Sequence, residues 1–194
     1  MNEHALPLKI IKHKFLEHEI DPATETLIIG TFNPLADGNK AEFFYSRPRN
    51  HLWALIPLAF KEESLKQRKI GNEYDEKIND KKAFIKRHHI DFIDLISEIA
   101  VEPGQETNYD DDYIDSKVPE WGWRDVVGEI QKLRSLKRAC FTRRTLSDIP
   151  RMRKRIERIQ SSCQDRGVYF QFLTTPARPP RKDRPNEWSD FFKT

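Results

Sequence analysis

The residues of this chain best suited to chemistry crowd into one short stretch, GTFNPLADGNKAEFFYSRPRNHLW, residues 30–53. It holds an Asn33-Pro34 corner, an aromatic run Phe43-Phe44-Tyr45 and a second asparagine, Asn50, after Pro48-Arg49. An asparagine amide carries an acceptor oxygen and a donor nitrogen, so it can orient a water, although it cannot act as a true base. Each residue also has a plain structural role open to it. Asn before Pro is a common turn former. Asn50 stands where an asparagine would cap a helix, and Phe43 and Phe44 suit a hydrophobic core.

The elements that must position these groups follow from the apolar pattern. Four segments predict buried strands: residues 26–32, 91–101 (too long for a single strand), 138–142 and 168–174. Between them, residues 50–60 carry Leu52, Leu55, Ile56 and Ala59 at helical spacing. Further helices are predicted over 80–89, over 123–136 with Val126, Val127, Ile130 and Leu133 on one side, and over 145–160, where Pro150 suits an early turn. A closing helix over 186–192 would be capped by Asn186. Strands alternating with helices imply a parallel sheet covered on both faces. In such a sheet the ligand site lies beyond the carboxyl ends of the strands. GTFNP and LTTPARPP both begin where a predicted strand ends, so one rim receives Asn33 and residues 174–178. The acidic segment 105–116 reads as a solvated loop, since Asp110-Asp111-Asp112 lacks the alternating ligands and glycine of a calcium loop. The charged segment 61–80 has no assignable role.

Composition bounds the answer. A chain of 194 residues, 37% hydrophobic and 34% charged, suits one soluble domain with a solvated surface. No apolar run approaches the roughly 20 residues of a membrane span, and the N-terminus lacks a signal-peptide core. The two cysteines, Cys140 and Cys163, are too few for a disulfide framework or a four-cysteine metal site, so a cytoplasmic location is expected. Charge is uneven along the chain. From Lys137 onward there are 15 Lys/Arg against 6 Asp/Glu, and before it 19 against 25. Such a basic third is a candidate phosphate-binding surface or a solvated helix face.

With Leu173-Thr174-Thr175-Pro176-Ala177 at the end of the last strand, the pattern resembles the uracil-DNA glycosylase superfamily, nearest its mismatch-specific uracil/thymine and hypoxanthine branches. Those proteins carry a strand ending in a G-I-N-P or G-S-x-P corner, then an aromatic pair, then a P-x-N-x-[FL]-W segment that opens a helix. Here these are residues 30–34, Phe44-Tyr45 and Pro48-Arg49-Asn50-His51-Leu52-Trp53. Residues 91–95 resemble the family's second strand, and 141–145 the turn into its penultimate helix. The resemblance runs from about residue 26 to the C-terminus and rests on the order and spacing of these motifs.

The resemblance implies an α/β fold, a three-layer α/β/α sandwich with a central, mostly parallel four-stranded sheet. It implies a single domain over residues 1–194, with 1–25 an N-terminal extension packed on it. The activity implied is that of a monofunctional DNA glycosylase of base excision repair, hydrolysing the N-glycosidic bond of uracil or hypoxanthine. Such enzymes flip the nucleotide into a pocket, and stacking on an aromatic floor recovers part of the unstacking cost. Asn33 and Asn50 take the catalytic places, orienting water or the base. Thr31, Phe32, Tyr45 and Thr175 would bind the substrate, with Tyr45 as the floor. Arg49, Arg143, Arg144, Thr174, Arg178 and Arg181 would hold the DNA backbone. No metal or organic cofactor is implied, and DNA is the partner of a monomer without an obligatory protein partner. A lysine Schiff base is not expected, because no Lys falls in the corner motifs.

The departures from the family are specific. The corner GTFNP has one extra residue, so Phe32 takes the catalytic register counted from Gly30, and Asn33 takes it counted from Pro34. The closing-loop His of relatives falls on Leu173, and the corner has no carboxylate. A binding module of the same fold without hydrolysis therefore remains an alternative. So does an enzyme acting on free nucleosides or nucleotides.

Overall fold

The alternation of strand and helix read in the sequence is realised over residues 7–177 and 184–193, the part of the chain that the computed structural model describes. In chain order the elements are β1 (Lys9–Lys12), β2 (Thr26–Gly30), α1 (Leu52–Ala59), β3 (Arg68–Ile70), β4 (Glu73–Asp75), α2 (Ile78–Arg87), β5 (Ile90–Asp94), β6 (Glu98–Val101), α3 (Asp111–Lys117), α4 (Val126–Lys132), β7 (Arg138–Phe141), α5 (Pro150–Asp165), β8 (Tyr169–Phe172) and α6 (Arg184–Lys193). The central sheet has the order β5-β2-β7-β8 and is parallel throughout.

Successive side chains of a strand point to opposite faces, and β2 uses both. Leu27 and Ile29 join Ile93, Ala139 and Phe141 in a core covered by α4 and α5. Ile28 joins Phe92 and Cys140 in a second core covered by α1, α2 and α6 through Trp53, Phe84, Trp188 and Phe191. Three layers result, as expected for a strand that is buried on both faces. Register aligns the carboxyl ends, with Gly30 opposite Asp94 and Phe141 opposite both Ile29 and Phe172. Both cysteines are buried and free. Among the described residues no helix is long and apolar enough to cross a membrane.

Four local readings change. The closing helix spans Arg184–Lys193, so Asn186 lies inside it and is not its cap. The long apolar segment 91–101 divides after Asp94, where Ile96 bridges to Trp123, the Ser97 N–H donates to the Gly122 carbonyl at 2.8 Å and the Arg124 N–H to the Leu95 carbonyl at 2.9 Å. It resumes as β6, which pairs antiparallel with β1, a strand the sequence did not announce. The acidic segment is not simply a solvated loop. It contains α3, whose buried Asp115 accepts from the free amides of Arg151 and Met152 at the start of α5, at 3.0 and 2.6 Å. A carboxylate there satisfies orphan donors and favours the positive end of the helix dipole. The segment 61–80 contains the exposed hairpin β3–β4.

Candidate functional site

A cavity of about 200 Å³ opens at the carboxyl rim of the sheet, where β2, β5 and β7 end. Thr31, Phe32, Asn33, Tyr45, Asn50, Arg143 and Thr175, all named from the sequence, line it. Asp94 and Thr142 line it as well, at the ends of β5 and β7.

The hydrogen-bond network settles which way each amide faces. Asn39 accepts from the Ala41 N–H through its oxygen and donates through Nδ2 to the Pro34 carbonyl at 2.7 Å. The same Nδ2 donates to Asn33 Oδ1, so the oxygen of Asn33 is occupied. What Asn33 retains for the cavity is its donor nitrogen. Asn50 behaves alike. Its Oδ1 accepts from the Leu52 N–H at 2.9 Å, an Asx turn that leads into α1, whose N-cap position is His51 and not Asn50 as the sequence suggested. Its Nδ2 is left for the cavity it lines. Turn and site roles are thus compatible in one side chain.

Tyr45 is held in the left-handed backbone region, with φ 55°, a conformation uncommon outside glycine. Two anchors flank it. Phe44 packs among Phe15, His18 and Phe92, and its carbonyl accepts from Trp53 Nε1 at 2.7 Å. Phe43 and Phe44 are core residues. The Tyr45 hydroxyl lies 3.3 Å from Thr142 Oγ1, and its ring packs obliquely on Phe92. Burial, and secondarily the charge of Asp94, raise the Tyr45 pKa well above the ordinary phenol value, so it remains a neutral group. Gly30 permits this closeness. A Cβ there would stand 2.1 Å from Asp94 Oδ1 and 2.5 Å from the Tyr45 hydroxyl.

Asp94 is the carboxylate that the GTFNP corner lacks. Its Oδ2 lies 2.6 Å from Nε2 of the fully buried His13 side chain. Its Oδ1 accepts no hydrogen bond among the described residues. The cavity therefore combines two amide donors, the Asp94 oxygen, an Asp111 carboxylate paired with Arg143, and an aromatic wall. At its edge the Arg47 guanidinium stacks 3.8 Å from the centroid of the Tyr109 ring. Burial lowers the Arg47 pKa, and among the described residues no carboxylate pairs with it.

The other basic groups differ in how free they are. Arg143 is engaged by Asp111, by Asp148 and by the Thr145 carbonyl. Arg144 pairs with Glu187 of α6 at 2.8 Å, and Glu187 also accepts from the Thr174 N–H and hydroxyl at 2.9 and 2.6 Å. Thr174 thus fastens the closing loop to α6 and does not line the cavity. Thr175 does line it, and its hydroxyl accepts from the Ala177 N–H at 3.3 Å. Arg49 is exposed beside the site. Arg178 and Arg181 lie outside the described residues. Among the described residues no group of three or more His, Cys, Asp or Glu side chains gathers as a metal site.

Sequence reasoning did not single out Asp94, His13, Arg47, Tyr109 or Thr142. Asp94 had a signal, a charged residue closing the apolar run IDFID. Arg47 had a weaker one, its place in Ser46-Arg47-Pro48-Arg49. His13 and Tyr109 had none.

The fold is an α/β/α sandwich, and its candidate site is carried by strand-end loops. In comparisons with known proteins, no family model and no curated protein matches the chain. A solved structure does match. It is the solution NMR structure of a Methanosarcina acetivorans protein provisionally described as a uracil DNA glycosylase, with 22% identity and a TM-score of 0.57. The match covers 90% of this chain and 92% of that one. The chain therefore has a uracil-DNA glycosylase-like fold.

Proposed function

We propose that the protein is a monofunctional DNA glycosylase that hydrolyses the N-glycosidic bond of a deaminated base, uracil or hypoxanthine, flipped out of DNA. The observation that carries this reading is the pairing, in one cavity, of two amide donors with an unengaged carboxylate oxygen, on Asn33, Asn50 and Asp94. The fold it shares with the Methanosarcina acetivorans protein supports it.

The chemistry follows from that donor and acceptor set. As the C1′–N bond breaks, its electron pair leaves with the base, and positive charge develops on the sugar. The Asn33 and Asn50 amides donate to the oxygen of the departing base, where negative charge accumulates. Asp94 Oδ1 accepts from a water, holds it toward C1′ and opposes the cationic charge. As the water oxygen bonds to C1′, its proton passes to Asp94 and then to the departed base. Tyr45 offers its ring to the flipped base, and stacking of this kind contributes roughly 1–3 kcal/mol. If the oxygen they face is O4 of uracil or O6 of hypoxanthine, the two donors also disfavour cytosine and adenine, which carry an amino group at that position. Arg47 and Arg49 supply charge for the phosphates.

A module that binds without hydrolysis was motivated by the corner's lack of a carboxylate and by Leu173 in the place of the closing-loop His. Asp94, from the neighbouring strand, weighs against the first ground, and base release decides the second. The test is base release from matched oligonucleotides carrying uracil, hypoxanthine, xanthine or thymine mismatches, single- and double-stranded, with alkaline cleavage of the abasic product. Release of uracil or hypoxanthine is expected. No release from any substrate, with salt-sensitive binding retained, would overturn the enzymatic reading.

A further inference from the structure

The segment before β2 does more than cover the domain. Its backbone is stitched to both loops that carry the site. The His13 N–H donates to the Ser97 carbonyl, just past β5, and the Lys14 N–H donates to the Asn33 carbonyl, each at 2.7 Å. The Leu35 N–H donates to the Lys12 carbonyl, also at 2.7 Å. His13 therefore lies between the corner holding Asn33 and the strand end holding Asp94.

Its ring is fixed in one tautomer. The Phe15 N–H donates to His13 Nδ1 at 3.0 Å, which requires a lone pair on that nitrogen. The proton of the neutral imidazole is then on Nε2, directed at Asp94 Oδ2 at 2.6 Å. Phe32 and Phe44 pack near the ring, at 5.8 and 6.0 Å between centroids. Because Nε2 occupies Oδ2, the other oxygen of Asp94 is the one left beside Gly30, at the cavity.

From this we infer that His13 is a positioning residue for the reaction, using a neutral Nε2–H imidazole to hold the Asp94 carboxylate with Oδ1 presented to the substrate. The inference rests on the glycosylase reading above. The chain's N-terminal segment then supplies part of the site's alignment. A misplacement of about 1 Å in a reacting group costs up to 10²-fold in rate, so such a holder has kinetic consequence.

Two substitutions divide the imidazole's two bonds. His13→Asn keeps an acceptor for the Phe15 N–H but is too short to reach Asp94. His13→Gln places an amide N–H where Nε2 lies and restores the bond to Asp94. Single-turnover base release by H13N, measured well below its lowered melting temperature, should fall about 10–100-fold with DNA affinity near that of the wild type. H13Q should recover most of that loss. Long-range ¹⁵N correlation spectra of the wild type should report a protonated Nε2 and an unprotonated Nδ1 for His13. Equal rates for H13N and the wild type, equal losses in H13N and H13Q, or a protonated Nδ1 would each overturn the inference. A wild type that releases no base overturns the glycosylase reading instead, and so the two failures are distinguishable.

Discussion

Two histidine–aspartate pairs join the N-terminal segment to β5, and they use the same chemistry to opposite ends. His18 Nε2 lies 2.6 Å from Asp91 Oδ1, which also accepts from the Phe92 N–H at 2.8 Å, while Asp91 Oδ2 accepts from the Asp21 N–H at 2.9 Å. Both oxygens are engaged, and the carboxylate is a structural fastening. His13 holds Asp94 at the same distance through Oδ2, but nothing among the described residues donates to Oδ1. Three residues along the strand, a paired carboxylate has become a candidate reactive one. The number of local backbone donors separates the two, not burial, since both aspartates are 5% exposed or less.

The strongest way to break this comparison is to remove one polar group of the cavity at a time. Asp94→Asn keeps an oxygen for His13 Nε2–H but turns an NH₂ toward the cavity, so the acceptor is lost. Base release should fall about 10²–10⁴-fold with little change in the denaturation midpoint. A matching loss of stability would place Asp94 with Asp91 as a fastening. Asn33→Ala should lower release about 10²–10³-fold, the scale of losing one donor to developing charge. DNA affinity, measured by anisotropy at fixed salt, should be kept, and a parallel loss of affinity would assign Asn33 to binding alone.

A third buried charge sharpens the contrast, because among the described residues no carboxylate lies within ion-pair distance of it. The Lys81 ammonium is fully buried, donates to Ser46 Oγ at 2.8 Å and lies 5.3 Å from the Trp53 ring centroid. Burial lowers its pKa from 10.5 to about 8. Between those values the unfolded chain binds the proton that the folded chain has released. The folded state therefore gains stability as pH rises from about 8 to 10.5, by about 3 kcal/mol. Stability measured against the Lys81→Met variant should show that rise, and a flat difference across this range would refute it. The smallest effect is expected at the fastening itself. Asp91→Ala orphans buried donors and should cost about 1–3 kcal/mol of unfolding free energy. Release measured well below its melting temperature should change little.

Much of the site's framework could be read locally. Leu27, Ile28 and Ile29 are apolar in succession because β2 is buried on both faces, and that pattern survives in the sequence without help from neighbours. Gly30, Asn33, Tyr45, Asn50 and Thr175 were legible because they follow strand ends or open a helix, and the topology of a parallel sheet sends such positions to one rim. The directions of the amides were not legible. They depend on Asn39 and on the Leu52 N–H, which are hydrogen-bond choices and leave no trace in periodicity. α3 was hidden for a similar reason, since the charge of its Asp115 is matched by helix amides 36 and 37 residues away.

By itself, the sequence determined the succession of the four central strands and the helices α1, α2, α4, α5 and α6, the two-faced burial of the central strands and the rim on which chemistry would sit. Short-range spacing of apolar side chains and the breaks at Gly30 and Pro34 encode all three. Tertiary structure alone decided that the carboxylate comes from Asp94 and is held by His13, a partner 81 residues away. Such a pairing is set by how β1 threads between two loops, and a contact across that separation imposes no local pattern on either residue's neighbours.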